Sequence, residues 1–184
     1  MTLALATGCS PAPGTPTPER TSTESSAATT TPAEAPSSSS ARPREVKLDG
    51  ARACDLLTAE QLPSLKIDSA GRAVEVAAYE ASGCSWTVTG ASNRLVPVTK
   101  EGIEVWTGGK RTGRPSEIEP IMGFPAITIT LPNQEASCDA IVDTAEGQYL
   151  LATVTVNPSF EDRFPKPCDG ARQLAEAAMQ NLLK

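Results

Sequence analysis

The sequence predicts an α+β domain, with a mainly antiparallel sheet, N- and C-terminal helices packed on one face, and two disulfides. Three observations carry this. Several segments alternate apolar and polar residues with period two, as half-buried strands do. A 3.6-residue apolar period is strongest at the C-terminus, with a helical entry near residue 53. No regular strand–helix–strand rhythm, which a parallel sheet would need, runs between them.

The first element is Ala53-Cys54-Asp55-Leu56-Leu57, followed by Thr58-Ala59-Glu60-Gln61. Thr58 can cap the next turn and Gln61, three residues on, can cap back. Pro63 ends or bends the segment, and the Leu pair packs on the sheet. Residues 72–79 alternate around Val74 and Val76. Residues 84–89 put Cys84, Trp86 and Val88 on one face, so Trp86 is expected in the core beside a disulfide. Residues 95–99 form a candidate strand that Pro97 demotes to an edge or a bulge. Residues 126–131 alternate cleanly. Residues 137–144 and 148–156 read as a hairpin turning at Ala145-Glu146-Gly147. In its second strand Leu150, Ala152, Val154 and Val156 make the better core face. Ala171, Leu174, Ala175, Ala178 and Leu182 then define one helical stripe. Pro167 and Asp169 suit that helix's first turn, where Gly170 is a mild cost.

Composition divides the chain near residue 45. Residues 10–45 contain 8 Ser, 7 Thr, 7 Pro and 6 Ala, with no aromatic, Leu, Ile or Val. Such a stretch buries nothing against the entropy of folding, so it is expected to be a disordered linker, stiffened locally by proline. The folded domain is then 46–184. The 184-residue chain has a formal net charge of −6, and most of it falls in that domain. An acidic surface argues against nucleic-acid binding, which needs cations to displace counterions. The chain has no His. This excludes Ser-His-Asp and Cys-His nucleophile systems and His-ligated zinc, copper or haem. No cofactor is indicated.

Residues 1–9 are small and apolar and end in Ala6-Thr7-Gly8-Cys9, directly before the linker. This resembles the end of a bacterial lipoprotein signal, in which the Cys becomes the lipidated N-terminus. Ala6 stands where Leu is commoner, no Lys or Arg precedes the run, and the run is shorter than a usual signal core. The resemblance implies a lipid anchor at Cys9, built of several acyl chains because one alone binds membranes marginally.

Four cysteines remain: Cys54, Cys84, Cys138 and Cys168. Their spacing contains no C-x2-C knuckle, so two disulfides are preferred to a zinc site. Three connectivities are possible. Cys54 and Cys168 each begin a helical segment, and Cys84 and Cys138 each begin a strand. Like-with-like pairing therefore gives Cys54–Cys168 and Cys84–Cys138, worth at most roughly 4 kcal/mol each on a chain-entropy argument.

Five landmarks occur in order: Ala53-Cys54-Asp55-Leu56-Leu57-Thr58, Gly83-Cys84-Ser85-Trp86, Gly123-Phe124-Pro125-Ala126, Ser137-Cys138, and Pro167-Cys168 leading into Ala171-Arg172-Gln173-Leu174-Ala175. Together they resemble the DUF3558 family of actinobacterial lipoproteins over residues 53–184. Gly170 departs from the helix-favouring residue usual there. The resemblance implies a cell-envelope lipoprotein of Gram-positive type and carries over no catalytic residue.

Candidate chemistry is sparse. The acidic pairs Glu101/Glu104, Glu117/Glu119 and Glu161/Asp162 lie in loop-like or edge segments and read as solvated surface rather than a glycosidase pair. Ser64-Leu65-Lys66 has the wrong spacing for a Ser-Lys dyad. Thr107-Gly108-Gly109-Lys110-Arg111-Thr112-Gly113-Arg114 is a basic, Gly-rich loop that lacks the P-loop pattern. It reads first as an exposed turn between strands. Its functional reading is an anion contact through Lys110, Arg111 and Arg114, to a lipid headgroup or wall polymer. Trp106 beside it either rims a pocket or caps the core. The expectation is a non-enzymatic binding or accessory domain, lipid-anchored at the outer face of the cell membrane. Its partner would be a small ligand, an envelope component or another protein. The alternatives are a structural interaction module without a ligand and, third, a carboxylate-based hydrolase.

Overall fold

The computed structural model describes residues 41–184. The lipidation assigned to Cys9, and all but the last residues of the linker, lie outside the described residues. Seven strands form one antiparallel sheet: β1 (Arg72–Val76), β2 (Ala81–Val88), β3 (Ala91–Val98), β4 (Arg114–Ile121), β5 (Phe124–Thr130), β6 (Ser137–Ala145) and β7 (Gln148–Val156). Their order across the sheet is β1-β2-β3-β7-β6-β5-β4. The topology is two meanders, β1–β3 and β4–β7, whose last strands meet at the centre. The crossover between the meanders carries a one-turn helix, α1 (Glu104–Thr107), and the C-terminal helix is α2 (Pro167–Leu182). The sheet and its helices bear out the α+β expectation. Among the described residues no helix is long and apolar enough to cross a membrane.

The first face of the sheet holds the larger core. α2 lays Ala171, Leu174, Ala175, Ala178 and Met179 on it, all fully buried. Beneath them are Ala140, Val142, Leu150, Ala152 and Val154, the face of the last hairpin that alternation selects. Gly170 has a reason to be small: a Cβ there would meet Val154 Cγ1 at 3.2 Å, so its absence lets the helix approach β7. The N-terminal helical entry is shorter than expected, two 310 turns at Ala53–Leu56 and Leu62–Leu65. They pack on the same face as α2. Half of the capping box between them forms, with the Thr58 N–H donating to Gln61 Oε1 at 2.9 Å. Gln61 also donates to Ala177 O, which ties this segment to α2.

The disulfides are Cys54–Cys84 and Cys138–Cys168, each with Cα atoms 4.9 Å apart. This corrects the like-with-like pairing. Cys84 and Cys138 point into the same core but sit on β2 and β6, with β3 and β7 between them. Three strand spacings make roughly 14 Å, twice what a disulfide spans. Each helical cysteine instead bonds the strand beneath its own helical turn.

Pro97 also departs from expectation, because β3 is flanked by β2 and β7 rather than being an edge. Pairing with β2 stops at Leu95, however, while pairing with β7 continues to Val98. Pro97 therefore sits where the strand has only one neighbour, and the physical restriction holds locally. The strand β4 was not foreseen. It is an edge strand with two prolines and mostly exposed side chains, so it has no alternation to read.

A strap precedes the first 310 turn. Arg42 makes two hydrogen bonds to the Asp143 carboxylate, at 2.7 and 2.8 Å. The Val46 N–H donates to Thr144 O, and the Leu48 N–H to Gln148 Oε1. Val46 and Leu48 are buried. Among the described residues these contacts reach back to Arg42, inside the stretch that composition groups with the linker.

Candidate functional site

The second face of the sheet carries a smaller core and a cleft lined by aromatic and polar side chains. Two residues apart along each strand, Val96 with Leu151 and Ile141, and Val98 with Tyr149, form apolar rows. The crossover after β3 must travel from the sheet's middle to its far edge. In doing so it lays α1 over these rows, burying Val105 and Trp106.

Polar groups pin the crossover. The Tyr149 hydroxyl donates to Glu101 Oε1 at 2.5 Å, and Arg111 Nε donates to the same oxygen at 2.5 Å. A terminal nitrogen of Arg111 also donates to Ala78 O at 2.7 Å. The Arg111 guanidinium lies 4.5 Å from the centre of the Tyr79 ring and 5.8 Å from that of Trp106. Tyr79 meets Tyr149 edge to face, with centroids 6.5 Å apart. Glu101 was grouped with solvated carboxylates, but its side chain is only 20% exposed and both contacts fall on one oxygen. Burial, then the Glu101 hydrogen bond, push the Tyr149 hydroxyl far above its ordinary range. Burial pulls the Arg111 guanidinium down, but the bond and charge of Glu101 more than offset this, so the group stays charged.

Beside this cluster opens a cleft of about 590 Å³. Tyr79 and Trp106 give it aromatic walls, and Lys110, Thr112, Gln134 and Asp139 line it with polar groups. Asp139 is largely shielded from solvent and makes no ion pair among the described residues. Burial raises its carboxyl above the ordinary range, opposed by a Thr153 hydrogen bond and by the charge of Arg94. Tyr79 is pushed up to about 12, by burial and then by the Asp139 charge, with Arg111 acting against both.

The three cations of the Gly-rich loop separate in function. Lys110 is exposed at the cleft. Arg111 lines it too, but Glu101, Ala78 and two rings hold its guanidinium. Arg114 begins the edge strand β4, exposed and outside the cleft lining. The structure thus brings Lys110 and Arg111 to one cleft and leaves Arg114 apart from them. Trp106 does both things considered for it: it is 5% exposed in the core and walls the cleft. Trp86 lies in the other core with Cys84, as its strand pattern indicates. Sequence reasoning missed Tyr79, Asp139 and Tyr149. No strong signal marked them: Asp139 shares its strand face with Ser137, Ile141 and Asp143, so alternation does not single it out.

A second pocket, about 300 Å³, lies under α1 and β4, with Glu104, Glu117 and Asp143 at its rim and Ile118 and Ile127 on its walls. Burial raises the Asp143 carboxyl, although Arg42 pulls it down. No group of three or more His, Cys, Asp or Glu among the described residues is placed to hold a metal ion.

No curated protein and no solved structure matches the chain. A family match does exist, over residues 4–181, to the group described as "Protein of unknown function (DUF3558)". It spans nearly the whole sequence, and the landmark cysteines that suggested it are the two disulfides described above. The chain belongs to the DUF3558 family.

Proposed function

We propose that this protein is a non-enzymatic binding domain of the cell envelope, held at the outer face of the membrane by a lipid on Cys9. Its ligand occupies the cleft between Tyr79, Trp106 and Asp139. One observation carries the binding reading: a cleft of about 590 Å³, lined by Tyr79 and Trp106, holds a shielded carboxylate, Asp139, that makes no ion pair among the described residues. Such a site suits a small polar molecule that packs against the exposed part of Tyr79 and satisfies Asp139 with a donor. The anchor reading rests on the Cys9 motif and the Ser/Thr/Pro linker, which together make a tethered domain.

Trp106 supplies the test. Titrating the full chain with short neutral oligosaccharides should change its tryptophan emission, and Trp106→Phe should remove the change while Trp86 still reports folding. An emission that no oligosaccharide alters would reject the cleft as a binding site. For the anchor, a Cys9→Ser chain expressed with its native upstream region should leave the membrane fraction. Retention there would reject lipidation at that residue.

A further inference from the structure

The strand register places more on the second face than the cleft. Moving from the apolar rows toward the Ala91 end of β3, the next row across the sheet reads Arg72, Ser85, Arg94, Thr153 and Asp139, on β1, β2, β3, β7 and β6. The row beyond it reads Thr87, Ser92, Thr155 and Ser137. These residues share the face of Val96, Leu151 and Ile141, yet α1 covers only the apolar end. All nine are exposed or half-buried. The face is thus half core and half open hydroxyl surface, and Asp139 joins that surface to the cleft.

A solvent-facing half of an antiparallel sheet needs no special explanation. Two features go beyond that. Water-facing rows are ordinarily steadied by opposite charges on neighbouring strands. Here two arginines flank a serine, and neither makes an ion pair among the described residues. The flanking row is entirely Ser and Thr, whose hydroxyls both donate and accept. The chain is acidic overall, so two arginines against one shielded carboxylate, Asp139 beyond Thr153, make a local reversal of sign on this patch.

We propose that this surface binds an anionic carbohydrate whose sugars carry carboxylate or phosphate groups. This rests on the binding reading above and names its ligand class. Guanidinium forks pair with carboxylate or phosphate in two parallel hydrogen bonds. Arg72 and Arg94 are two strand spacings apart, roughly 10 Å between Cα atoms, a span that a disaccharide bridges. The hydroxyl row lies alongside to exchange hydrogen bonds with sugar hydroxyls. One end of the chain of sugars reaches the cleft, where it packs against the exposed part of Tyr79.

The test is calorimetric titration of the full chain with three probes: trigalacturonate, a short glycerol-phosphate oligomer bearing sugars, and neutral cellotriose. At least one anionic probe should bind better than cellotriose, and which one binds names the charged group. Its affinity should fall as salt rises. The double variant Arg72→Ala/Arg94→Ala should lose at least tenfold for that probe. Arg72→Lys/Arg94→Lys, which keeps the charge but loses the fork, should fall between. Both arginines are exposed, and thermal melts check that the variants fold. Unchanged affinity in the double alanine variant would overturn the proposal, as would cellotriose binding as well as both anionic probes. In that last case, loss of cellotriose binding in Tyr79→Ala would leave the cleft reading standing while this one falls. If no probe binds, both fall.

Discussion

Tyr149 is completely buried, and its hydroxyl donates at 2.5 Å to the same Glu101 oxygen that receives Arg111 Nε. A carboxylate oxygen shared by a phenol and a guanidinium joins three segments: β7, the start of the crossover and the Gly-rich loop. Removing the phenol leaves Glu101 with Arg111 alone, and removing the carboxylate leaves a buried phenol without its acceptor. Tyr149→Phe is expected to lower the unfolding free energy by about 1.5–3 kcal/mol. Glu101→Gln should cost a similar amount, and the two losses should be markedly less than additive in urea melts. Simple additivity would mean that the shared oxygen is not a structural joint.

Disulfide connectivity is directly checkable. Peptide mapping without reduction should find Cys54 with Cys84 and Cys138 with Cys168. Each closes a loop with a sequence separation of 30, so each should contribute roughly 3–4 kcal/mol on the chain-entropy model. The Cys54→Ser/Cys84→Ser variant should therefore melt well below the native protein. A peptide linking Cys54 to Cys168 would refute the arrangement.

Asp139 gives the fold a predictable pH dependence. Its carboxyl is raised by burial, so between the unfolded value near 4 and the raised folded value the native state holds more protons than the unfolded chain. Stability contributed at this site consequently falls as pH rises through that window and is regained on acidification. Asp143, also raised, acts in the same direction. Asp139→Asn should raise the melting temperature at pH 7 and flatten the profile below it. A variant less stable than the native protein at pH 7 would show that the charged form is favoured.

Gly71 is a steric test of the first core. A Cβ there would lie 2.6 Å from Cys84 Sγ and 2.7 Å from Trp86 Nε1. Both neighbours are buried and one is cross-linked, so neither yields easily. Gly71→Ala should destabilise by about 1–3 kcal/mol in denaturant melts, as overpacked sites do. A neutral effect would mean that Trp86 can move.

The parts of this fold legible in the sequence were those with a strong period. α2, the last hairpin and its core face follow from apolar spacing, and the Trp86–Cys84 neighbourhood follows from strand alternation. The first turn, the edge strand and α1 had no such signal. The entry around residue 53 reads as helix but winds into two short 310 turns held by tertiary contacts with α2. β4 is exposed on both faces. α1 is one turn long, too short for any periodicity. The cysteines were recognised as disulfides, but their pairing depended on strand order, and adjacency of β3 and β7 is a long-range fact. The site was half legible for the same reason: Trp106 and Lys110 stood out in a distinctive loop, whereas Tyr79 and Asp139 meet them only after the crossover is laid over the sheet.

The central pairing of β3 with β7 joins Ala91 to Val156, and neither disulfide crosses it. Cys54–Cys84 lies wholly within the first half of the domain, and Cys138–Cys168 wholly within the second. Each half can therefore be oxidised on its own before the long loop between them closes, the step with the greatest entropic cost. A chain crossing a membrane N-terminus first would have its first meander already cross-linked while β7 was still to emerge. Assembly then docks two pre-stapled halves along the β3–β7 seam, with the strap, the crossover and α2 closing across it.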